Sequence, residues 1–577
     1  MNRLTAHWAA PPFVSALFAS GALAQNDPRE AFLVSPNPSA IASFGFSGDV
    51  ADVNQDGITD LAVSAYRETV NGIGYAGKLY ILFGPDLRPG PVIQQPAPTE
   101  TARFGYSMAF GDVNGDSFPD MIATARKGHP GGVFQAGRVF VHYGPVYDTW
   151  TELTEPTLEV NSAFGYDVNA GDVNGDGIDD VIIGTRLGDV SGLPDAGEVY
   201  VYLGPNLQNP IRLVEPTPEA NAAFGIAMVV EDFDGDGFGD LAVGANGATV
   251  GGLFAAGEVH LYRGPNLTWW KEIRNPTPEK ESIFGYHLVA GDIDGDGSPD
   301  LQIGNPYQSV NGMPQAGRVH VYKGPALTQW MVLEEPTVQA NANFGRALAE
   351  GDVNADGFDD LVVGVTYADA PGAVNAGEAY VYYGPDLQTW DRLPGVPEPI
   401  GEFGTPTVGD IDADGFADIF VGARLGDLPG MVNAGWGVLH DFATRAPFAP
   451  YGLATAGSGA VEPTLTGTGT MKVNQASRVD VAGGLGGAAA LLQIGLGPDH
   501  TPIDGAFSEV APLFSLPLVL GGAAGQAGAG TAPLPFTLPN DASIVGTMLF
   551  TQVLIADPGA ATGGISATRG LKLTPQS

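Results

Sequence analysis

Hydrophobic and polar positions fall in short runs along most of this chain, and the runs recur at a fixed interval. One kind is brief and built of small or β-branched residues, as in Leu61-Ala-Val-Ser64 and Val181-Ile-Ile-Gly184. A second alternates with aromatics, as in Glu198-Val-Tyr-Val-Tyr-Leu203, and stops at Gly-Pro. A third, such as Trp150-Thr-Glu-Leu153, ends near a proline. All are too short for helices, and turn residues bound them, so they predict β-strands. A Phe-Gly pair opens each unit, from Phe44-Gly45, Phe104-Gly105 and Phe164-Gly165 to Phe403-Gly404. An acidic loop follows the pair. A Gly- and Pro-rich loop ending in Ala-Gly (Ala76-Gly77, Ala196-Gly197, Ala376-Gly377) precedes the third strand. Each unit therefore holds four short strands.

The first Asp of the acidic loop stands at Asp52, Asp112, Asp172, Asp232, Asp292, Asp352 and Asp410, a step of 60 five times and of 58 once. Seven four-stranded units predict an all-β chain whose main body, residues 30–442, is a seven-bladed β-propeller. A linear solenoid is the structural alternative. The seventh unit favours a ring. It ends at its third strand, Trp436-Gly-Val-Leu-His-Asp-Phe442, with no fourth run after it. Ahead of the first Phe-Gly, Phe32-Leu-Val-Ser-Pro lines up with Arg212-Leu-Val-Glu-Pro of a later unit. The N-terminal run is expected to supply the missing outer strand and to close the ring, which leaves fewer open sheet edges.

The acidic loop reads Asp-x-(Asp/Asn)-x-Asp-Gly-x-x-Asp. Oxygens converge from its first, third, fifth and ninth side chains and from the carbonyl of the seventh residue, and the Gly allows the sharp turn. In unit one these are Asp52, Asn54, Asp56, Ile58 and Asp60; in unit two, Asp112, Asn114, Asp116, Phe118 and Asp120. Unit three has Asp172, Asn174, Asp176, Ile178 and Asp180; unit four, Asp232, Asp234, Asp236, Phe238 and Asp240. Unit five has Asp292, Asp294, Asp296, Ser298 and Asp300; unit six, Asp352, Asn354, Asp356, Phe358 and Asp360; unit seven, Asp410, Asp412, Asp414, Phe416 and Asp418. Hard oxygens without His or Cys select Ca²⁺, up to seven ions, one per blade. An EF-hand is excluded, because its twelfth-position Glu is replaced by Val63, Ala123, Ile183 and Val243. Unit two has Ser117 where Gly is usual, so its metal is expected to bind more weakly. Asx-turns without metal are the competing reading. It leaves several carboxylates crowded within nine residues and uncompensated.

Composition narrows the function. The 577-residue chain has a formal charge of −40, which argues against nucleic acid and anionic membrane as partners. Residues 1–442 hold 58 acidic and 20 basic side chains, net −38, and residues 443–577 hold 7 and 5, net −2, which marks a boundary. Met1–Ala24 has Arg3, an apolar run and Ala22-Leu23-Ala24, which predicts a secretory signal peptide over 1–24 and hence a secreted or cell-surface protein. No other stretch is long and apolar enough to cross a membrane as a helix. With no Cys there are no disulfides, so metal is the expected staple of an exported chain.

The Phe-Gly pair, the acidic loop, the Gly-Ala strand end (Gly244-Ala245, Gly422-Ala423) and the Ala-Gly before the third strand resemble FG-GAP repeats. Such repeats form the propeller of integrin α chains and occur in many secreted bacterial proteins. The resemblance implies structural calcium loops on one face and ligand binding on the other. In this chain the second face is expected to carry Tyr66, Arg67, Arg126, Arg186, Asn246, Tyr307, Tyr367 and Arg424, as anchors for an extracellular protein or glycan. Solvated loop residues are the plainer reading.

No catalytic residues are assigned. His142, His260 and His320 take strand places held elsewhere by aromatics, so a packing role is expected, and no nucleophile elbow, P-loop or His-Glu-x-x-His is present. The reading is of a non-enzymatic, calcium-binding scaffold for adhesion. The alternatives are a secreted polysaccharide- or phosphoester-cleaving enzyme using the propeller channel, or a purely structural envelope or matrix protein. Residues 447–577 predict a small antiparallel sandwich, with runs at Ala490–Ile494, Leu513–Leu520, Met548–Ile555 and Leu571–Thr574 and a loop over Gly521–Gly530. The segment is similar to a sandwich appended to exported proteins of some bacteria.

Overall fold

A computed structural model describes residues 30–442, apart from 371, 394, 396 and 397, and the strand backbones between 448 and 573. The signal-peptide expectation lies outside the described residues. The chain divides into two compact units after His440.

The first unit is a ring of seven antiparallel four-stranded sheets. Blade one is typical. Its strands are Phe44–Ala51, Asp60–Ala65, Lys78–Phe83 and Arg88–Gln94, paired in that order. First strands of successive blades touch one another all the way round, blade seven meeting blade one, so they line the axis. Second strands are buried along their whole length, as in Asp180–Thr185 and Asp360–Val365. That explains why their sequence is small and β-branched with no polar alternation. Outer strands are mostly exposed and bury one late aliphatic residue, Leu153 or Leu213 for example. The core lies between neighbouring blades: Phe164, Val139 and Val141 pack with Ile183, Tyr200 and Tyr202.

Two motifs of the repeat are a single joint. The Phe N–H of each Phe-Gly pair donates to the Ala carbonyl of the preceding blade's Ala-Gly, as Phe104 to Ala76 (2.8 Å), Phe164 to Ala136 (2.9 Å) and Phe224 to Ala196 (2.9 Å). The Gly of Ala-Gly has positive φ, and a Cβ at Gly137 or Gly197 would run into the carbonyl of the next blade's Phe. Only glycine fits such a joint without strain. The seventh joint closes the ring, with Phe44 N–H donating to Ala434 O at 3.0 Å.

The expected closure is present. Glu30–Leu33 pairs antiparallel with Trp436–His440 as the outer strand of blade seven, so that sheet takes one strand from the start of the propeller and three from its end.

In the second unit the described strands pair in two sheets. Phe448–Tyr451, Gly570–Leu573, Leu549–Ala556, Ala489–Ile503 and Ala506–Val519 are neighbours in that order, and Ile565–Ala567 pairs with Leu549–Ala556. Thr464–Thr468, Ala476–Gly483 and Gly528–Thr537 form the other sheet. The last of these strands starts inside the expected Gly521–Gly530 loop and shortens it from its C-terminal side.

Candidate metal centres and the opposite face

Each acidic loop joins the first strand of a blade to the second, so the seven loops share one face of the ring. Their backbone geometry repeats. In blade one, Asp52 accepts from the N–H groups of Asp56 (3.1 Å) and Gly57 (2.8 Å), and Asp56 accepts from Ile58 N–H (3.0 Å). The fifth carboxylate accepts from the seventh N–H in every other loop too: Asp116 from Phe118, Asp176 from Ile178, Asp236 from Phe238, Asp296 from Ser298, Asp356 from Phe358 and Asp414 from Phe416. The Asx-turns of the competing reading are therefore real, and they curl the carboxylates inward without using all their oxygens.

The ninth residue opens the second strand and is buried. Asp60 accepts from Val53 N–H (3.1 Å) and Gly84 N–H (2.9 Å), which ties the loop to the Gly-Pro turn after the third strand. Burial, helped by Asp56 and Asp52, raises the Asp60 carboxyl to about 6. Burial likewise raises Asp120 and Asp360 to about 7, and Asp180, Asp240 and Asp300 to about 6. A cation at the centre would reverse that cost.

Three loops bring carboxylate oxygens within 4.8 Å of one another: Asp232, Asp234 and Asp240; Asp292, Asp294 and Asp296; and Asp410, Asp412 and Asp418. In these loops the third residue is Asp. Loops one, two, three and six have Asn54, Asn114, Asn174 and Asn354 there. Buried oxygens of Asp240, Asp294 and Asp300 have no hydrogen-bond partner. Unsatisfied buried oxygens beside further carboxylates suit a hard divalent cation. Basic residues reach two of these loops, with Arg263 at 2.7 Å from Asp234 and Lys323 at 2.7 Å from Asp294.

The residues expected on the other face follow the second strand of each blade, at the opposite end from the acidic loops. Most of them meet a layer that sequence reasoning missed, the second residue after Phe in each unit, which lies in the first strand or, for Tyr166 and Tyr286, just ahead of it. Phe46 packs on Tyr66 (4.1 Å between centroids) and Tyr106 (5.0 Å), and Tyr106 packs on Tyr166 (5.4 Å). Arg126 lies 3.8 Å above Tyr106, Arg186 4.8 Å above Tyr166, Arg67 5.0 Å above Tyr66 and Arg424 5.4 Å above Phe46. Arg346, itself on a first strand, lies 5.3 Å from the Tyr367 ring and 5.1 Å from that of Tyr286. Tyr307 bears on the same guanidinium. Asn246 is buried.

His260 packs edge-on against Phe224 at 5.9 Å, as expected, but also takes a charged role. Its Nε2 lies 3.3 Å from Glu215 and 3.1 Å from Glu258, and Arg274 Nε lies 3.1 Å from Glu258. Burial works against the imidazolium, but Glu215 and Glu258 prevail and raise it to about 9. Blade three has Tyr200 at the equivalent place, donating to Glu198 at 2.9 Å, and there burial raises Glu155 to about 8. His142 and His320 pack as expected, against Trp150 and Trp330 at 6.2 and 6.0 Å.

This geometry agrees with comparison to known proteins. The FG-GAP repeat model matches residues 44–82, 104–142, 164–202, 284–322 and 344–382, and an FG-GAP-like repeat model matches 232–302. The chain carries FG-GAP repeats and is homologous through its propeller to integrin alpha chains. It is 32% identical over 222 residues to integrin alpha-5 of Xenopus laevis, covering 35% of this chain and 20% of that protein. It is 30% identical over 218 residues to integrin alpha-PS2 of Drosophila melanogaster, covering 35% and 15%. It is 28% identical over 276 residues to the human phosphatidylinositol-glycan-specific phospholipase D, covering 42% and 32%. The chain thus spans about a fifth or less of these integrins and about a third of the phospholipase.

Proposed function

We propose that the protein is a secreted, calcium-stapled propeller that holds an extracellular protein or carbohydrate on the face opposite its acidic loops. The calcium part rests on one observation above others: seven loops curl their carboxylates inward, and three oxygens among them are buried with no partner. The ion would bridge the first and second strands of each blade and discharge the crowded carboxylates. Loops held in this way leave the other face as the place where blade-to-blade variation occurs. There Tyr and Arg side chains replace the repeated acids. The test of the binding face is capture on glycan and protein arrays by the full chain. Binding lost in Arg186→Ala, with an unchanged melting temperature, supports the reading. Binding indifferent to that change and to Arg126→Ala contradicts it.

A second reading, a phosphoester- or polysaccharide-cleaving enzyme, draws on the likeness to a phospholipase D. Turnover of a phosphoester or polysaccharide panel would favour it.

A further inference from the structure

The hub of the face opposite the acidic loops concentrates positive charge on an otherwise acidic protein. Arg67, Arg103, Arg126, Lys127, Arg186, Arg346 and Arg424 gather at the inner ends of blades one, two, three, six and seven. Arg424 is ion-paired with Glu402. Among the described residues, Arg67, Arg126, Arg186 and Arg346 have no carboxylate partner. Their immediate neighbours are ring faces: Tyr66 for Arg67 and Arg103, Tyr106 and Tyr166 for Arg126, Tyr166 for Arg186, and Tyr286 and Tyr367 for Arg346.

Stacking uses the flat face of a guanidinium and leaves its five N–H donors pointing outward around the edge. The tyrosines therefore hold the guanidiniums in place while using few of their donors: the Tyr166 hydroxyl engages Arg186 and the Tyr307 hydroxyl engages Arg346. Consistently, the Nε atoms of Arg67, Arg126 and Arg186 are buried and have no hydrogen-bond acceptor. The cluster is also strained by its own charge. Burial, then Arg126 and Arg67, lower Arg103; burial, then Arg103 and Arg126, lower Lys127. Burial opposes ionisation of Tyr166, but Arg186 and Arg126 still draw it below the usual phenol value. Like charges crowded in this way, with unused donors, are stabilised by an anion from outside.

We propose that this hub is an oxyanion site, taking a multiply charged group (sulfate, phosphate or clustered carboxylates) of the bound ligand, with Arg126 and Arg186 as its principal forks. The inference rests on the reading that this face binds the ligand, and it names the chemistry recognised. The anion would sit against guanidinium edges whose orientation the Tyr106 and Tyr166 rings have already fixed. That reduces the ordering cost of binding.

The test is calorimetric titration of the full chain with sodium sulfate, inorganic phosphate and citrate in turn, at low and at high sodium chloride. Saturable binding of at least one, weakened by salt, is expected, and the tightest of the three identifies the source of the oxyanion. Each lost charge-assisted fork is worth about a tenfold change or more. Arg126→Gln with Arg186→Gln should therefore weaken binding about a hundredfold, while Arg186→Lys, which keeps charge but not the fork, should lose less. A melting scan checks that each variant is folded. No binding of any of the three anions overturns the oxyanion site. If array ligands are still captured and Arg186→Ala still abolishes capture, the binding face stands and only its chemistry is wrong. If capture is also insensitive to Arg186→Ala and Arg126→Ala, the binding face falls too.

Discussion

The ring of Phe32 stacks on that of Trp436 at 5.0 Å between centroids, with 30° between their planes. The two residues stand at opposite ends of the propeller sequence and share one sheet. Phe32 is buried, and its strand supplies the outer edge of blade seven. Phe32→Ala should therefore act as a ring-opening lesion and cost ~3–5 kcal/mol of stability. Denaturant unfolding, read against Val92→Ala on an exposed outer strand, measures it. Equal effects of the two would show that the closure carries no particular weight.

The inter-blade joint predicts a contrast between two glycines of the same backbone angle. Gly192 and Gly197 both have φ +83°, but a Cβ at Gly192 meets open space and one at Gly197 meets the Phe224 backbone. Gly192→Ala should cost ~1–2 kcal/mol from the left-handed conformation alone. Gly197→Ala should cost ~1–3 kcal/mol more, from the forced separation of blades three and four. Melting temperatures of the pair decide it.

Much of this fold was legible because a repeat states its own boundaries. The 60-residue step, the strand missing after Phe442 and the run at Phe32–Pro36 sufficed for the ring and its closure. The purpose of Phe-Gly and Ala-Gly was not legible. The two motifs are far apart in one unit and meet only across a blade boundary, as Gly137 and Phe164 do. The hub was half legible. Arg126 and Arg186 stood out, but Phe46, Tyr106, Tyr166, Tyr286 and Arg346 did not. Their place is held by a mixture of residues and becomes a shared surface only when first strands converge on the axis. An aromatic two residues after Phe in four units was the signal available.

His260 was read as an aromatic substitute because its contacts come from elsewhere in the chain. Glu215, 45 residues earlier, turns the position into a buried ion pair. The His260 value is raised from 6.5 to about 9, so its contribution is fully present below about pH 6.5 and is lost as pH rises through about 9. His260→Gln should cost ~3–5 kcal/mol near pH 6, where buried Glu215 loses its cation and Glu258 keeps only Arg274. The deficit should shrink toward pH 10. Stability measured at both pH values checks this, and a deficit independent of pH would contradict it.

Glu155 predicts a gain. Burial, with Glu198 nearby, raises it from 4.5 to about 8, so its stabilising contribution is present below about pH 4.5 and lost as pH rises through about 8. Gln stays neutral at every pH. Glu155→Gln should raise the melting temperature at pH 9 relative to the native chain and have little effect or a small cost at pH 5.

Ser117 stands in the left-handed region at φ 73°, where the equivalent Gly57 and Gly177 have φ 84° and 83°. Ser117→Gly should stabilise the protein by ~1 kcal/mol and, if the proposed calcium binds there, tighten the loop expected to hold it more weakly. The melting temperature at saturating calcium, compared with Gly177→Ser as the reverse change, reports it.

Whether the seven acidic loops are calcium staples is decided by calorimetric titration of the chelated full chain with calcium, with a melting scan before and after. Several sites approaching seven and a large rise in melting temperature on loading are expected. No heat of binding and an unchanged melt would contradict the calcium proposal, and the loops would then be Asx-turns that hold the blades without metal.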